Sequence, residues 1–350
     1  MLRVGIIGLG GIANSHCRGI AALDHVKVVA VADLMEERRR EFMAQYDIPK
    51  GYATHTELLA DPEIDAVGVV LGHMLHHRLT VDACRAGKHV LVEKPMAISM
   101  EQCDEMVAAA RENGVKLMVG LTNHFSPTNR RAREILDSGE LGPVITAVNY
   151  MSKRWGYPRR RAQYRSRYHG GGMWLTNGVH VVDRLTWFMA SQALSVSAAI
   201  GNRSYYQAAD DYGSAMIRYK NGQVGLAVAV AYKDGGPNHD LNIICSEGSL
   251  HIGRGGLVEA GVWVGKGDKW ERVAVEDESS NFAREWEAFA KAIELNIEPP
   301  ASGVYGRHIM EILFAAEESA LTNQEVRLSS GPGWFSQESG EVATYEHGWY

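Results

Sequence analysis

The stretch LRVGIIGLGGIANSHCRGI, residues 2–20, decides the fold. The apolar run from Val4 to Ile7 predicts a short buried strand, because it lacks alternation and is bounded by glycine. The pattern G-x-G-x-x-A follows, and a helix is predicted to begin near Ile12. Gly8 permits a tight turn, Gly10 lets a pyrophosphate approach the backbone, and Ala13 lets the helix pack close to the strand. The stretch therefore predicts a dinucleotide-binding turn.

A carboxylate at the end of the second predicted strand strengthens this interpretation. The run Val26 to Ala32 ends in Asp33, twenty residues after Ala13, where a dinucleotide site places an acid for the adenosine ribose hydroxyls. The alternative is a solvated acid at a strand end. Asp33 would repel a 2′-phosphate and Leu34 offers no compensating charge, so we expect NAD. NADP stays open as an alternative because three basic residues follow on the next helix: Arg38, Arg39 and Arg40.

Length and composition limit the class of protein. A chain of 350 residues exceeds what one core usually supports, so two domains are expected. A net charge of −6 argues against a nucleic-acid partner. We find neither a signal segment nor an apolar run long enough to span a membrane, so a cytoplasmic protein without a membrane partner is expected. Reduced thiols are expected for the four cysteines, which lack zinc-ligand spacing: Cys17, Cys84, Cys103 and Cys245.

The order of predicted elements gives the fold class. Strands and helices alternate up to residue 121, which predicts an α/β Rossmann domain with a doubly wound parallel sheet over residues 1–121. After that point, strand-like runs joined by short turns, including the hairpin signal Asn221-Gly222, predict an open, mostly antiparallel sheet. We therefore expect an α+β C-terminal domain for substrate binding and oligomerisation over residues 122–330. Residues 331–350 lack periodicity and are interpreted as a C-terminal tail.

Three motifs carry a family resemblance that covers the chain to about Ser330. GLGGIA near the N-terminus, AGKHVLVEKPMA at residues 86–97 and GGGMWLTNGVHVVD at residues 170–183 resemble the Gfo/Idh/MocA oxidoreductases. The combination of E-K-P with G-x-H-x-x-D about ninety residues later is specific to that family. The resemblance implies a nicotinamide cofactor and hydride transfer to or from a secondary alcohol.

The resemblance also implies two catalytic residues. Lys94 of the E-K-P motif would donate a hydrogen bond to the reacting oxygen and stabilise its alkoxide character. His180 would exchange the proton of the substrate hydroxyl, and Asp183 would either orient its imidazole or make structural contacts. The family's catalytic aspartate, four residues before the histidine, is replaced here by Thr176, which can hydrogen-bond but cannot act as a carboxylate base. The expected catalytic set is therefore Lys94, His180 and Thr176.

Further positions depart from the family pattern or complete the expected sites. Gly72 and His73 stand where many relatives have proline and asparagine, whereas His76 matches the family histidine. A metal site is not expected, since neither acid nor cysteine completes the histidine cluster. The expected cofactor-binding set is Gly8, Gly10, Gly11, Ile12, Ala13, Asp33, Leu71, His73, His76, Glu93 and Lys94. His124, where relatives often have arginine, and its neighbour Asn123 are expected at the substrate.

The segment KRWGYPRRRAQYRSRYHGGG, residues 153–172, is rich in arginine and aromatic residues. Arginine binds carboxylates in bidentate fashion and aromatic rings stack on planar groups, so we hypothesise a substrate that bears a carboxylate. The alternative is a solvated basic loop or a subunit contact. The expected substrate-binding set is Asn123, His124, Arg154, Trp155, Arg165, Asn177 and His180.

These observations lead to one functional prediction and two alternatives. We expect an NAD(P)-dependent oxidoreductase that acts on a secondary alcohol of a sugar, cyclitol, sugar acid or carboxylated cyclic dihydrodiol. The alternatives are an NAD-dependent glycosidase of the same family and a non-catalytic NAD(H)-responsive regulator. The resemblance further implies a homodimer or homotetramer, formed through the open sheet of the second domain.

Overall fold

In this computed structural model, the described residues are 1–156, 161–254, 259–275 and 280–329, and they divide into two units. The first contains residues 1–125 and 280–307. The second contains residues 126–156, 161–254, 259–275 and 308–329. The helices are α1 (Ala13–Ala21), α2 (Glu36–Tyr46), α3 (His55–Leu59), α4 (His73–Arg85), α5 (Met100–Glu112), α6 (Pro127–Asp137), α7 (Val179–Met189), α8 (Asn281–Glu294) and α9 (Gly303–Thr322).

The first unit is built on a six-stranded sheet in which all neighbouring strands are parallel. Its strands are β1 (Leu2–Ile7), β2 (Val26–Ala32), β3 (Lys50–Tyr52), β4 (Ala66–Val69), β5 (His89–Val92) and β6 (Leu117–Val119). The order β3-β2-β1-β4-β5-β6 changes direction at β1. The predicted doubly wound parallel sheet is confirmed, and its switch point, where such sheets bind ligands, lies at the glycine turn after β1.

The domain boundary predicted from the sequence assigns helix α8 to the wrong domain. The domain predicted over residues 122–330 included this helix, but the structure places it in the first unit, against α1. A Cβ added at Gly19 would lie 2.7 Å from the Cβ of Phe282, so the glycine allows this close packing. Trp286 is fully buried there and donates a hydrogen bond to Nδ1 of His16 over 3.1 Å. Periodicity along one helix could not reveal which sheet it covers.

The second unit is built on a nine-stranded sheet with the order β14-β13-β12-β11-β7-β10-β9-β8-β15. Its strands are β7 (Val144–Arg154), β8 (Ala193–Gly201), β9 (Tyr212–Tyr219), β10 (Val224–Tyr232), β11 (Asn238–Cys245), β12 (Ser249–Gly253), β13 (Gly261–Lys266), β14 (Lys269–Val273) and β15 (Val326–Arg327). The pair of β7 and β10 is parallel and the other neighbouring pairs are antiparallel. The predicted open, mostly antiparallel sheet is confirmed, including the β9–β10 hairpin at Asn221-Gly222.

The helical segment from Trp174 to Met189 begins with an irregular turn. Residues Trp174–Gly178 form a π-helical turn, and regular α-helix continues from Val179. Trp174 anchors the turn, because its main-chain N–H donates to Asp210 over 2.6 Å and its indole N–H donates to the carbonyl of Leu313 over 3.1 Å. Such π turns are frequent at functional sites.

Several sequence predictions concern residues outside the described ranges. These are the C-terminal tail and, within the arginine-rich segment, Tyr157, Arg159 and Arg160. Within the described ranges, none of the helices is long and apolar enough to cross a membrane. The four cysteines all fall in those ranges and are buried free thiols.

Candidate cofactor and substrate sites

The turn after β1 has the backbone geometry that the glycine pattern predicts. Gly8 has a φ of +93°, and a Cβ there would lie 2.4 Å from Leu71 Cγ and 2.5 Å from the carbonyl oxygen of Val70. Glycine is therefore required at this position on two counts. Gly10 and Gly11 face open space, since a Cβ at either would meet nothing within 4 Å. The turn leaves room for a pyrophosphate at the glycines predicted to approach it.

The N-terminus of α1 and the carboxylate of Asp33 border this turn. Helix α1 starts at Ala13, directly after the turn, so the positive end of its dipole borders the turn and favours an anion. Asp33 Oδ2 accepts from the N–H of Leu9 over 2.9 Å, and Oδ1 accepts from the N–H of Met35 over 2.9 Å. The carboxylate is thus fixed against the glycine turn instead of being freely solvated. Arg38 Nη1 lies 3.8 Å from Asp33 Oδ2, so the basic group behind the NADP alternative is adjacent.

The segment after β4 is held by a buried histidine. His76 is fully buried, with Nδ1 2.7 Å from the carbonyl oxygen of Pro95 and Nε2 3.2 Å from that of Leu71. Burial lowers the pKa of His76, so we assign a neutral ring, whose single N–H donates to only one of these two carbonyl oxygens. His73 is the first residue of α4. Cofactor contacts by His73, His76 and Leu71 stay predictions.

Glu93 of the E-K-P motif is part of a buried hydrogen-bonded chain. The indole N–H of Trp286 can only donate, so Nδ1 of His16 is the acceptor and its Nε2–H donates to Glu93 Oε1 over 3.0 Å. Glu93 Oε2 accepts from the main-chain N–H of Lys94 over 3.1 Å. Burial opposes ionisation of Glu93, but the His16 hydrogen bond and the Lys94 charge outweigh it, so its pKa is lowered. The chain fixes the backbone at Lys94, whose peptide bond to Pro95 is cis.

A second buried carboxyl group in the same unit differs from Glu93 in its hydrogen bonding and in the direction of its pKa shift. Glu285 on α8 has no solvent-accessible surface, and within the described part of the chain neither carboxyl oxygen has a hydrogen-bond partner. Burial first, and then the charge of Glu93, raises the pKa of Glu285 well above its ordinary value. Glu285 is therefore protonated at neutral pH beside an ionised Glu93. Sequence analysis missed Glu285, His16 and Trp286, because no motif links α8 to the glycine turn.

The two residues predicted to meet substrate from the first unit lie in a short 3₁₀ turn, Thr122–Phe125. Asn123 and His124 are both buried. The imidazole of His124 packs edge-on against Tyr305, with ring centroids 5.2 Å apart. Their contact with substrate stays a prediction.

In the second unit, the predicted catalytic residues lie on the π turn and the start of α7. Thr176 and Asn177 belong to the π turn and are buried, whereas His180 in the first turn of α7 is partly exposed. Asn177 Oδ1 accepts a hydrogen bond from Nζ of Lys153 over 3.2 Å. Asp183 is fully buried. The structure thus brings Thr176, Asn177 and His180 onto consecutive turns of one segment.

Two arginines of the arginine-rich segment pair with acids of the protein. Arg154 forms an ion pair with Asp234, and Arg167 forms two hydrogen bonds to Glu317, over 2.6 and 2.7 Å. Both guanidinium charges are therefore already compensated within the protein. Trp155, expected at the substrate, is fully buried, and its contact with substrate stays a prediction. Arg165 is half-buried, and its role stays a prediction.

Sequence analysis overlooked several basic residues of the second unit. They are Lys153, Arg184, His239 and Arg254, which come from β7, α7, the start of β11 and the residue after β12. They are separated by up to a hundred residues, so spacing gave no signal. Among the described residues, no three or more His, Cys, Asp or Glu side chains form a group that could hold a metal ion.

Comparison with known proteins identifies the family. Residues 2–121 match the model of the oxidoreductase family with NAD-binding Rossmann fold, and residues 129–251 match the GFO/IDH/MocA C-terminal domain. The chain is 24% identical to the myo-inositol 2-dehydrogenase of Thermotoga maritima over 93% of this chain and 98% of that protein. It is 30% identical to the 1-carboxy-3-chloro-3,4-dihydroxycyclo hexa-1,5-diene dehydrogenase of Comamonas testosteroni over 66% of this chain and 57% of that protein.

A solved structure shows the same fold. The chain superposes on the WlbA dehydrogenase from Bordetella pertussis, solved in complex with NADH and UDP-GlcNAcA, with a TM-score of 0.81. The sequence identity is 22%, and the match covers 94% of this chain and 98% of that one. With both domain models matched in order along most of its length, this chain belongs to the Gfo/Idh/MocA family of NAD-binding oxidoreductases.

Proposed function

We propose that the protein is an NAD-dependent dehydrogenase that oxidises a secondary alcohol of a sugar, cyclitol, sugar acid or carboxylated cyclic dihydrodiol. The observation that carries the proposal is the turn at Gly8 and Gly10, with Asp33 fixed to its backbone through Leu9. This arrangement fits the pyrophosphate and the ribose hydroxyls of NAD. The fixed carboxylate disfavours a 2′-phosphate, which supports NAD over NADP.

In this proposal the two units supply different groups. Bound NAD supplies the hydride acceptor when the substrate carbon is oxidised to the ketone. His180 takes the hydroxyl proton, and Lys94 donates a hydrogen bond to the oxygen as negative charge develops on it. The His16–Glu93 hydrogen bonds hold the backbone that carries Lys94.

The Thr176 position bears on substrate choice. A buried threonine hydroxyl cannot raise the basicity of His180 by charge, as a carboxylate would. We propose that Thr176 instead orients substrate or imidazole by hydrogen bonding. The Comamonas relative, named for a carboxylated diol, supports including such diols in the substrate class.

The glycosidase and the regulator are not carried forward. Neither is favoured by a feature of the described residues, and the relatives reported above are named dehydrogenases.

We further propose a homodimer or homotetramer formed through the open face of the nine-stranded sheet, where Leu226 on β10 and Ile244 on β11 are exposed. Light scattering on the purified protein tests this assembly, and a monomer would contradict it.

The proposed activity is tested by incubating the purified protein with NAD⁺ and one compound at a time. The panel is myo-inositol, D-glucose, D-glucuronate and a cis-dihydrodiol carboxylate, and the readout is the absorbance of reduced nicotinamide. We expect reduction with at least one class. Lys94→Met should lower that rate by about 100-fold or more, whereas Lys27→Met, on an exposed position of β2, should leave it unchanged. Absence of reduction with every compound would overturn the proposal.

A further inference from the structure

Three strands of the second unit bring basic side chains to one end of the sheet. His239 on β11 lies opposite Met151 on β7, and Lys153 is two residues beyond Met151, on the same face of its strand. Arg254 directly follows β12, the other neighbour of β11. The three basic residues therefore meet at one edge although 101 positions separate the first from the last.

A buried arginine adds to the positive potential at this edge. Arg184 on α7 is fully buried, with Nε donating to Asn129 Oδ1 over 3.0 Å and Nη2 donating to the carbonyl of Ile252 over 3.3 Å. Burial first, and then the charges of Arg184, Arg254 and Lys153, lowers the pKa of His239 well below its ordinary value. His239 is thus held neutral beside three basic side chains, and the charge of the buried Asp240 partly offsets that of Arg184.

Two polar nitrogens beside Lys153 and Arg254 have no partner within the described part of the chain. They are Nδ2 of Asn177, a residue only 5% exposed, and Nε2 of His239. The amide of Asn177 is oriented by the hydrogen bond from Lys153, so its N–H groups point elsewhere and still need an acceptor. Unpartnered buried donors are rare and call for a group that the protein does not itself supply.

We propose that Lys153, Arg254, His239 and the amide of Asn177 form an anion subsite that binds an acidic group of the substrate, a carboxylate or a phosphate. This inference rests on the proposed function, because it places the subsite on the segment that leads to His180. It is a second candidate for acid recognition beside the arginine-rich segment, in which Arg154 and Arg167 are paired with Asp234 and Glu317.

The test measures binding to the NADH-loaded protein by titration calorimetry, so it does not depend on turnover. The probes are D-glucuronate, D-glucose 6-phosphate and the neutral D-glucose. We expect at least one anionic probe to bind about tenfold or more tightly than D-glucose, as for hydrogen bonds to a charged group. The anionic probe that binds distinguishes a carboxylate site from a phosphate site.

Substitutions at individual residues test which side chains cause the tighter binding of the anionic probe. Lys153→Met and Arg254→Met should each abolish the advantage of the anionic probe, and the latter changes an exposed residue, so it tests the inference even if the former unfolds. Arg218→Met is the matched control, because Arg218 on β9 is an exposed arginine paired with Glu325. Equal affinity for all three probes, absence of binding, or an advantage that survives Arg254→Met would overturn the subsite.

The outcomes separate the subsite from the proposed function. Oxidation of a neutral polyol without preference for anionic probes would remove the subsite and leave the dehydrogenase. If anion binding depends on Arg254 but the protein reduces no NAD⁺ with any compound, the subsite stands and the dehydrogenase proposal is overturned.

Discussion

The two units of this protein build their candidate sites in different ways. In the first unit the groups proposed to meet NAD are mostly main-chain atoms of one turn, and the carboxylate of Asp33 is fixed by the N–H of Leu9. In the second unit the polar groups are side chains from separate strands, with Lys153 on β7 bonded to Asn177 on the π turn. A main-chain site tolerates few changes of conformation, whereas a side-chain site can change its ligand with single substitutions. This difference suits a family whose members bind the same type of cofactor but act on different substrates.

Each unit also has a carboxyl group with a raised pKa, but the two groups are held differently. Glu285 in the first unit is unpartnered within the described residues. Asp210 in the second unit accepts the N–H of Trp174 and so caps the π turn. Burial, the main cause, raises the pKa of Asp210 to about 7, and the hydrogen bond from Trp174 opposes it. The second group therefore titrates near neutral pH, and the pKa of the first is raised well above its ordinary value.

The largest effect is expected in the glycine turn, where a substitution at Gly8 should affect protein stability and one at Gly10 should affect cofactor binding. Gly8→Ala places a Cβ against Leu71 and Val70 at a positive φ, so it should lower the free energy of unfolding by about 2–5 kcal/mol. Gly10→Ala meets no atom within 4 Å, so the stability of the cofactor-free protein should change little while NADH affinity falls. Thermal unfolding with and without NADH measures both. Equal stability of the two variants would contradict the described turn.

A smaller effect is expected at Glu285. Because its folded-state pKa is raised, the wild-type protein has its full stability below the ordinary carboxyl pKa and loses stability as the pH rises towards the folded-state value. Glu285→Gln should therefore raise the melting temperature at neutral pH by about 3 °C or more, and the gain should keep growing as the pH rises from the ordinary carboxyl pKa towards the folded-state pKa. Glu287→Gln, at an exposed position paired with His25, is the control and should show no such gain. A pH-independent difference would show that Glu285 is not held protonated.

The smallest effect is expected at Asp210. Its pKa of about 7 means that stability is complete near pH 4 and is lost progressively as the pH rises through 7. Asp210→Asn keeps an acceptor for the N–H of Trp174, so it should raise the melting temperature by about 2 °C, with a gain that levels off above pH 8. Differential scanning fluorimetry across pH 4–9 distinguishes this plateau from the continued rise at Glu285. A gain already present at pH 4 would contradict the assigned titration.

The same difference between the units explains what the sequence could predict. The glycine turn and Asp33 belong to one β-α-β segment, so their spacing predicted both the parallel sheet and the NAD site. The assignment of α8 to the first unit depends on the fit of Phe282 over Gly19, which periodicity does not encode. Trp155 looked like a stacking residue in a basic segment, and only packing shows that it is fully buried.

The cluster in the second unit was beyond sequence analysis for a related reason. Lys153 and His239 meet because β7 pairs with β11, and the register of that pair is a property of the folded sheet. The π turn at Trp174 depends on Asp210 and Leu313, which lie far along the chain. His180 itself was found by resemblance, since a single histidine on a helix has no distinguishing pattern.

The division of roles between the units is tested most directly by one pair of measurements on His180→Ala. Turnover of whichever compound reduces NAD⁺ should fall by about 100-fold or more, as expected for loss of a general base. The dissociation constant for NADH, measured by its fluorescence, should stay within about twofold of wild type, because His180 belongs to the unit that does not carry the glycine turn. His169→Ala, at an exposed histidine of the same unit, should change neither quantity. Retained turnover, or a parallel loss of NADH binding, would contradict the account.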